Sequence, residues 1–188
     1  MATGLVRHVV AMAHNSAWAN HRLLSACEAL TPAEFAAPRT GFFPSLRATF
    51  NHIYVVDLYY IDALEGLDAL RHYSQPDPDF ADAHSMRLAQ TASDKRLIAF
   101  CERQTETTLD VDCVLPRPNR TPPPTRVGAV LAHLFQHQIH HRGQAHAMLS
   151  STKVAPPQLD EFFLAGEEHL RRVELRALDL RALGLPED

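Results

Sequence analysis

The sequence predicts an all-α fold: a four-helix bundle with a further helix appended at its C-terminal end. Three observations lead there. Long stretches near 4–29, 45–65 and 85–107 carry apolar residues at steps of three and four with no proline inside. A fourth proline-free stretch, near 126–151, carries histidines at the same helical step. Prolines and turn-forming residues gather between these stretches, and strand-like alternation is confined to one short run.

In the first stretch Leu5, Val9, Met12, Ser16, Leu23 and Cys27 recur on one face. Thr31-Pro32 follows it, and the run PRTGFFP (38–44) reads as a loop. Ser45, directly after Pro44, is an N-cap for the second helix. Gly66 is where that helix should stop. SQPDPDFADAH (74–84) alternates proline with acidic and polar residues and reads as a second loop. The third helix then places Met86, Ala89, Leu97, Phe100 and Cys101 on its inward side.

Between Leu109 and Leu115 the chain alternates as LDVDCVL, a short strand or extended link. RPNRTPPPT (117–125) is barred from helix by its prolines and serves as a rigid connector, with Thr125 expected to cap the fourth helix. After KVAPPQ a last helical stretch, about 160–183, is rich in Leu, Glu and Arg, and reads as a peripheral arm or an oligomerisation element.

Composition narrows the function classes. With 188 residues, 46% of them hydrophobic, the chain fits one domain with a sizeable core. A net charge of −4 gives no basic footprint for nucleic acid. No apolar run is long enough to span a membrane, and the N-terminal segment lacks an uninterrupted apolar stretch. Three scattered cysteines (Cys27, Cys101, Cys113) without CxxC spacing suit free thiols in a reducing compartment, so a cytoplasmic location is expected.

The segment VLAHLFQHQIHHRGQAHAML (130–149) holds five of the chain's twelve histidines. His133, His137 and His141 are spaced by four, which places them on one helix face with Cβ atoms about 5–6 Å apart. At about 100° per residue, this stripe borders the apolar stripe of Leu131, Leu134, Ala145 and Leu149. Two imidazoles so spaced can converge on one metal ion with bonds of about 2.0–2.1 Å, so one of the three is free to serve in support. The third ligand must come from another helix. His52 is the candidate, because it shares a face with Val56, Tyr59 and Ala63; Asp57 and Glu65 fall off that stripe.

Four further residues in or near this stretch have simpler roles. Gln144 lies on the histidine stripe and can support a ligand. Arg142 faces away and suits a structural ion pair, while His146 projects toward solvent. Gly143, which costs a helix about 1 kcal/mol relative to Ala, points to close backbone packing. Elsewhere HExxH, ExxH and GxSxG are absent, and Cys27 and Cys101 sit on apolar faces as buried thiols.

The segments NSAWANHRLL (15–24), FFPSLRATFNHIYVVDLYYIDAL (42–64) and HLFQHQIHHRGQAHAML (133–149) resemble the DinB-like metal-dependent family, which includes YfiT-type bundles. The likeness runs through about 1–165, leaving 166–188 as a C-terminal helical extension. It implies a four-helix bundle with up-down-down-up connectivity, often dimeric, so a homodimer is expected. It places the metal triad on His52, His137 and His141 and leaves His133 outside it. Trp18 and Asn20 then tie the first helix to the core.

Characterised members of that family resemble transferases and isomerases that use low-molecular-weight thiols. The expected function is therefore divalent-metal binding, with zinc or nickel favoured and iron or manganese as further candidates. The chemistry expected at the ion is transfer or hydrolysis acting on a thiol or small electrophile. Candidates for moving a proton are His133, His140 and Tyr59. The rival expectation is a non-catalytic, regulatory or stress-related bundle that acts through a protein partner, its charged C-terminal arm making the contact.

Overall fold

The computed structural model describes residues 4–120 and 122–181. Residues 1–3, Thr121 and 182–188, and with them the far end of the expected tail helix, lie outside the described residues. Helix α1 spans Gly4–Cys27, two residues shorter than its periodicity allowed. Between it and the expected loop at 38–44 lies a short helix, α2 (Pro32–Ala36). Thr31 and Glu34 close it with reciprocal hydrogen bonds between side chains and backbone, a capping box. Helix α3 (Leu46–Leu64) begins where expected, with Ser45 Oγ accepting from the Ala48 N–H at 3.1 Å, worth about 1 kcal/mol.

The end of α3 also falls where Gly66 requires. Gly66 takes φ +71°, and the Leu67 and Gly66 N–H groups donate to the Asp62 and Ala63 carbonyls. This is a complete left-handed C-terminal cap. A single turn, α4 (Arg71–Ser74), follows. Helix α5 (Ala83–Glu102) is displaced from the expected 85–107, because Asp82 caps it earlier. At the other end Thr105 caps a new short helix, α6 (Glu106–Leu109).

The alternating run forms a strand after all. β1 (Asp112–Cys113) pairs antiparallel with β2 (Thr125–Arg126), in the register Asp112 to Arg126 and Cys113 to Thr125. Thr125 is therefore in the ladder and does not cap α7 (Val127–Leu149). The Val127 N–H is instead satisfied by the Val111 carbonyl at 2.9 Å. A 3₁₀ turn at Ala165–Glu167 leads into α8 (Glu168–Ala177), shorter than the 160–183 expected.

The four long helices pack as a closed ring in which α1 and α3 each touch both α5 and α7. Side-chain pairs fix their directions. Asn20 meets Asp94 while Glu28 meets Arg87, so α1 and α5 run oppositely. Thr49 meets Met148 while Asp57 meets Gln138, so α3 and α7 also run oppositely. Asp57 meets Gln90 and Asp62 meets Arg96, so α3 and α5 run together.

The core is divided by a polar layer. One apolar cluster gathers Val6, Val9, Ile61, Leu97, Val130 and Leu134, among others. The second, at the opposite end of the bundle, gathers Leu23, Leu24, Phe50, Ile53, Met86 and Leu149. Between them lie the buried side chains of Ser16, Asn20, Asp57, Gln90, Asp94, Gln138 and Arg142. A third cluster seats α8 on α1: Trp18 packs on Phe162 with ring centroids 5.6 Å apart, and Leu175 joins them.

Candidate metal centre

Helices α3 and α7 bring His52, His137 and His141 together at the level of the polar layer. One ring nitrogen from each lies within 4.8 Å of the others. The His52 and His137 Nε2 atoms are 3.0 Å apart. Two donors bonded tetrahedrally at about 2.0–2.1 Å would stand about 3.3 Å apart, so small side-chain adjustments bring this trio to coordination distance. Among the described residues no fourth His, Cys, Asp or Glu joins the group.

Electrostatics keep these rings neutral, the form in which imidazole binds metal. Burial pushes the His52 pKa down, and the neighbouring His141 adds to it against the opposing charge of Asp77. Burial and four surrounding histidines push His137 down to about 3. Burial also lowers His141, against a hydrogen bond to Gln144. That bond is informative, because Gln144 Oε1 can only accept. At 2.9 Å it places the His141 proton on Nδ1 and leaves the Nε2 lone pair free.

Aromatic residues that read as loop form the lid of the site. The Phe43 ring sits 4.4 Å from the His52 ring and 5.6 Å from that of His141. Phe42, 78% exposed, lies farther out at 6.4 Å from His141. A Cβ at Gly41 would come 2.1 Å from the Met148 methyl, the flexible end of a side chain on α7, and 3.3 Å from the Phe43 carbonyl oxygen. The only sequence signal for this lid is an aromatic pair immediately ahead of a helix cap.

The other sequence candidates fall outside the trio. His133 is exposed and packs on Tyr60, with its ring centroid 6.5 Å from that of His137. His140 is also exposed, 4.8 Å from the His141 ring, and its Nε2 pairs with the Gln144 amide nitrogen at 3.0 Å. Tyr59 is buried, and its hydroxyl donates to the Pro116 carbonyl at 2.9 Å.

The polar layer beside the trio is what sequence reading missed. Asp57 is fully buried between α3, α5 and α7, accepting from Gln90 at 2.8 Å and Gln138 at 3.0 Å. Burial, reinforced by nearby Asp94, raises its pKa to about 7. Burial raises Asp94 to about 6, against hydrogen bonds from Gln90 and Asn20. Arg142 is 3% exposed and donates to Asn20 at 3.1 Å, in the structural role expected of it.

Three side-chain readings change. The centre of the α3 core stripe is Leu46, Phe50, Ile53, Asp57 and Ile61, so Asp57 does face inward and His52 lies at its border. Gly143 has no atom within 4 Å of where a Cβ would stand, so no close packing explains it. His146 is half-buried and hydrogen-bonds the Pro157 carbonyl at 3.0 Å.

The sequence profile of the DinB family matches residues 3–171, nearly the whole described chain, and the protein belongs to that family. No curated protein matches it.

Proposed function

We propose that this DinB-family protein binds one divalent transition-metal ion through Nε2 of His52, His137 and His141. Transfer or hydrolysis would take place at the remaining coordination position. The observation that carries the reading is a set of three neutral imidazoles within 4.8 Å that has no fourth ligand residue among the described residues. Three protein ligands and an open position are the pattern of a catalytic ion, whereas structural sites are closed. All-imidazole donors suit zinc and nickel ahead of harder metals.

Bound there, the ion would supply Lewis acidity, lowering the pKa of a coordinated water or thiol. The chain's own residues do the rest. Gln144 holds His141 in the tautomer that presents Nε2. Phe43 covers His52 and keeps water from that side. His140 stands nearest the trio among the exposed candidates for taking up a proton, while the Tyr59 hydroxyl is engaged elsewhere.

The thiol, if one is used, is a small molecule. Cys27, Cys101 and Cys113 are all buried. Burial pushes Cys27 and Cys101 up to about 12, away from the thiolate form. The partner-binding alternative drew on the charged C-terminal arm, where α8 packs on α1 through Glu174, which accepts from Trp18 and Arg22.

Elemental analysis of the untagged protein, with His52→Ala alongside, is the deciding experiment. About one divalent ion per chain, lost in the variant, supports the site and justifies screening thiol-transfer reactions. No metal in either protein after reconstitution overturns it.

A further inference from the structure

On the side of α7 turned away from the three histidines, a recess of about 480 Å³ opens between α1, α7 and the segment 158–163. That volume is within the range of small-ligand pockets. Ala19, Ile139, Leu159 and Phe163 supply apolar walls. The outer wall is held firmly. Pro157 is anchored by His146, the Gln158 carbonyl by Arg22 at 2.8 Å, and the Glu161 carbonyl by Arg171 at 2.7 Å.

Two residues here have no use within the chain. Gly143 weakens the middle of α7, yet a Cβ would meet nothing within 4 Å. Its missing side chain leaves helix backbone as floor of the recess. Asn15 lines the same recess and is only 8% exposed. Its carboxamide has no hydrogen-bond partner among the described residues, and its polar atoms are not sealed from solvent but stand in the lining of the recess. The Arg142 guanidinium, also at the recess, already donates to Ser16 and Asn20 and is balanced by the buried Asp94 and Asp57.

We propose that this recess binds a neutral, largely apolar small molecule that presents an amide-like donor–acceptor edge to Asn15. The carboxamide offers one acceptor and two donors side by side, and a lactam or primary amide complements both. The apolar body lies over Gly143 against Ile139, Leu159 and Phe163, which are otherwise left facing solvent in part. A charged head is disfavoured, because the local cation is already compensated and Asp160 stands at the rim.

The probe is 4-ethylbenzamide, titrated into the full-length protein while the Asn15 side-chain NH₂ and the Gly143 amide are followed by ¹H–¹⁵N NMR. A compound of this size should saturate with a Kd of about 1 mM or below. Gly143→Leu, which fills the recess and favours helix, should abolish saturation. Asn15→Ala should weaken binding roughly tenfold, as for loss of a buried hydrogen-bonded partner. The isosteric anion 4-ethylbenzoate should bind at least about tenfold more weakly. Absence of saturable shifts, binding undiminished in Gly143→Leu, or preference for the benzoate would each overturn the proposal. Unchanged helical circular dichroism in both variants separates lost binding from lost fold.

Discussion

His141 Nδ1 and Gln144 Oε1 are 2.9 Å apart, one helical turn along α7, and this contact fixes which nitrogen of His141 faces His52. Without the carboxamide, both tautomers of the imidazole become populated, and the proton must be moved before Nε2 can ligate. Gln144→Ala should therefore lower metal affinity by about 10–100-fold, the usual cost of removing an outer partner of a metal-bound histidine. Gln144→Glu keeps the acceptor and should restore most of the loss. Competition against a metal-binding dye measures both. Equal affinity in all three proteins would show that Gln144 does not govern the site.

The four-residue spacing alone does not separate His133 from His137 and His141, but the geometry does. His133→Ala should retain about one metal per chain, whereas His137→Ala should lose stoichiometric binding with its helical content intact. Mass spectrometry under native conditions reads both outcomes directly. Loss of metal in His133→Ala would move the first ligand one turn toward the start of α7.

The α7 histidines and the long helices were legible because their signals are local, whereas His52 joined them only through its helix face and the family resemblance. Ser45 and Gly66 bound α3 with side-chain and backbone chemistry confined to a few residues. Histidines four apart must share a helix face. What was hidden depends on partners distant in sequence. Asp57 lies on the core stripe of α3, but a carboxylate there makes sense only once Gln90 and Gln138 arrive from two other helices. Thr125 has the chemistry of a cap, and pairing with Cys113 decides otherwise.

Glu174 of α8 accepts from Trp18 Nε1 at 2.7 Å and from Arg22 Nε at 2.7 Å. Trp18 is wholly buried in the full chain, so its indole N–H loses its one protein partner among the described residues when the Glu174 carboxylate is removed and the rest of α8 stays in place. Glu174→Ala should cost about 1–3 kcal/mol, the penalty of a buried group left unpaired. For a chain of this size that is a fall in melting temperature of about 2–4 °C per kcal/mol. Ending the chain at residue 165 should cost more, since Leu175 and the buried Arg171 leave with α8. A truncated protein as stable as the full chain would make α8 a passive appendage.

The buried Asp57–Asp94 pair gives stability a pH dependence of definite sign. An unfolded aspartate titrates near 3.9, whereas folded Asp57 titrates at about 7 and Asp94 at about 6. Between those limits the folded protein holds protons that the unfolded chain releases. Stability from these groups is thus full below about pH 4 and lost as pH rises through 6 and 7. Asp57→Asn removes one titrating group and also relieves the like charge acting on Asp94. Relative to the parent, the variant should gain stability between pH 5 and 8, by an amount on the order of a few kcal/mol. Thermal melts with a chelator present, so that no metal-linked protons enter, give the difference at each pH. A difference that stays flat would mean that Asp57 remains charged throughout, with Arg142 as its counterion.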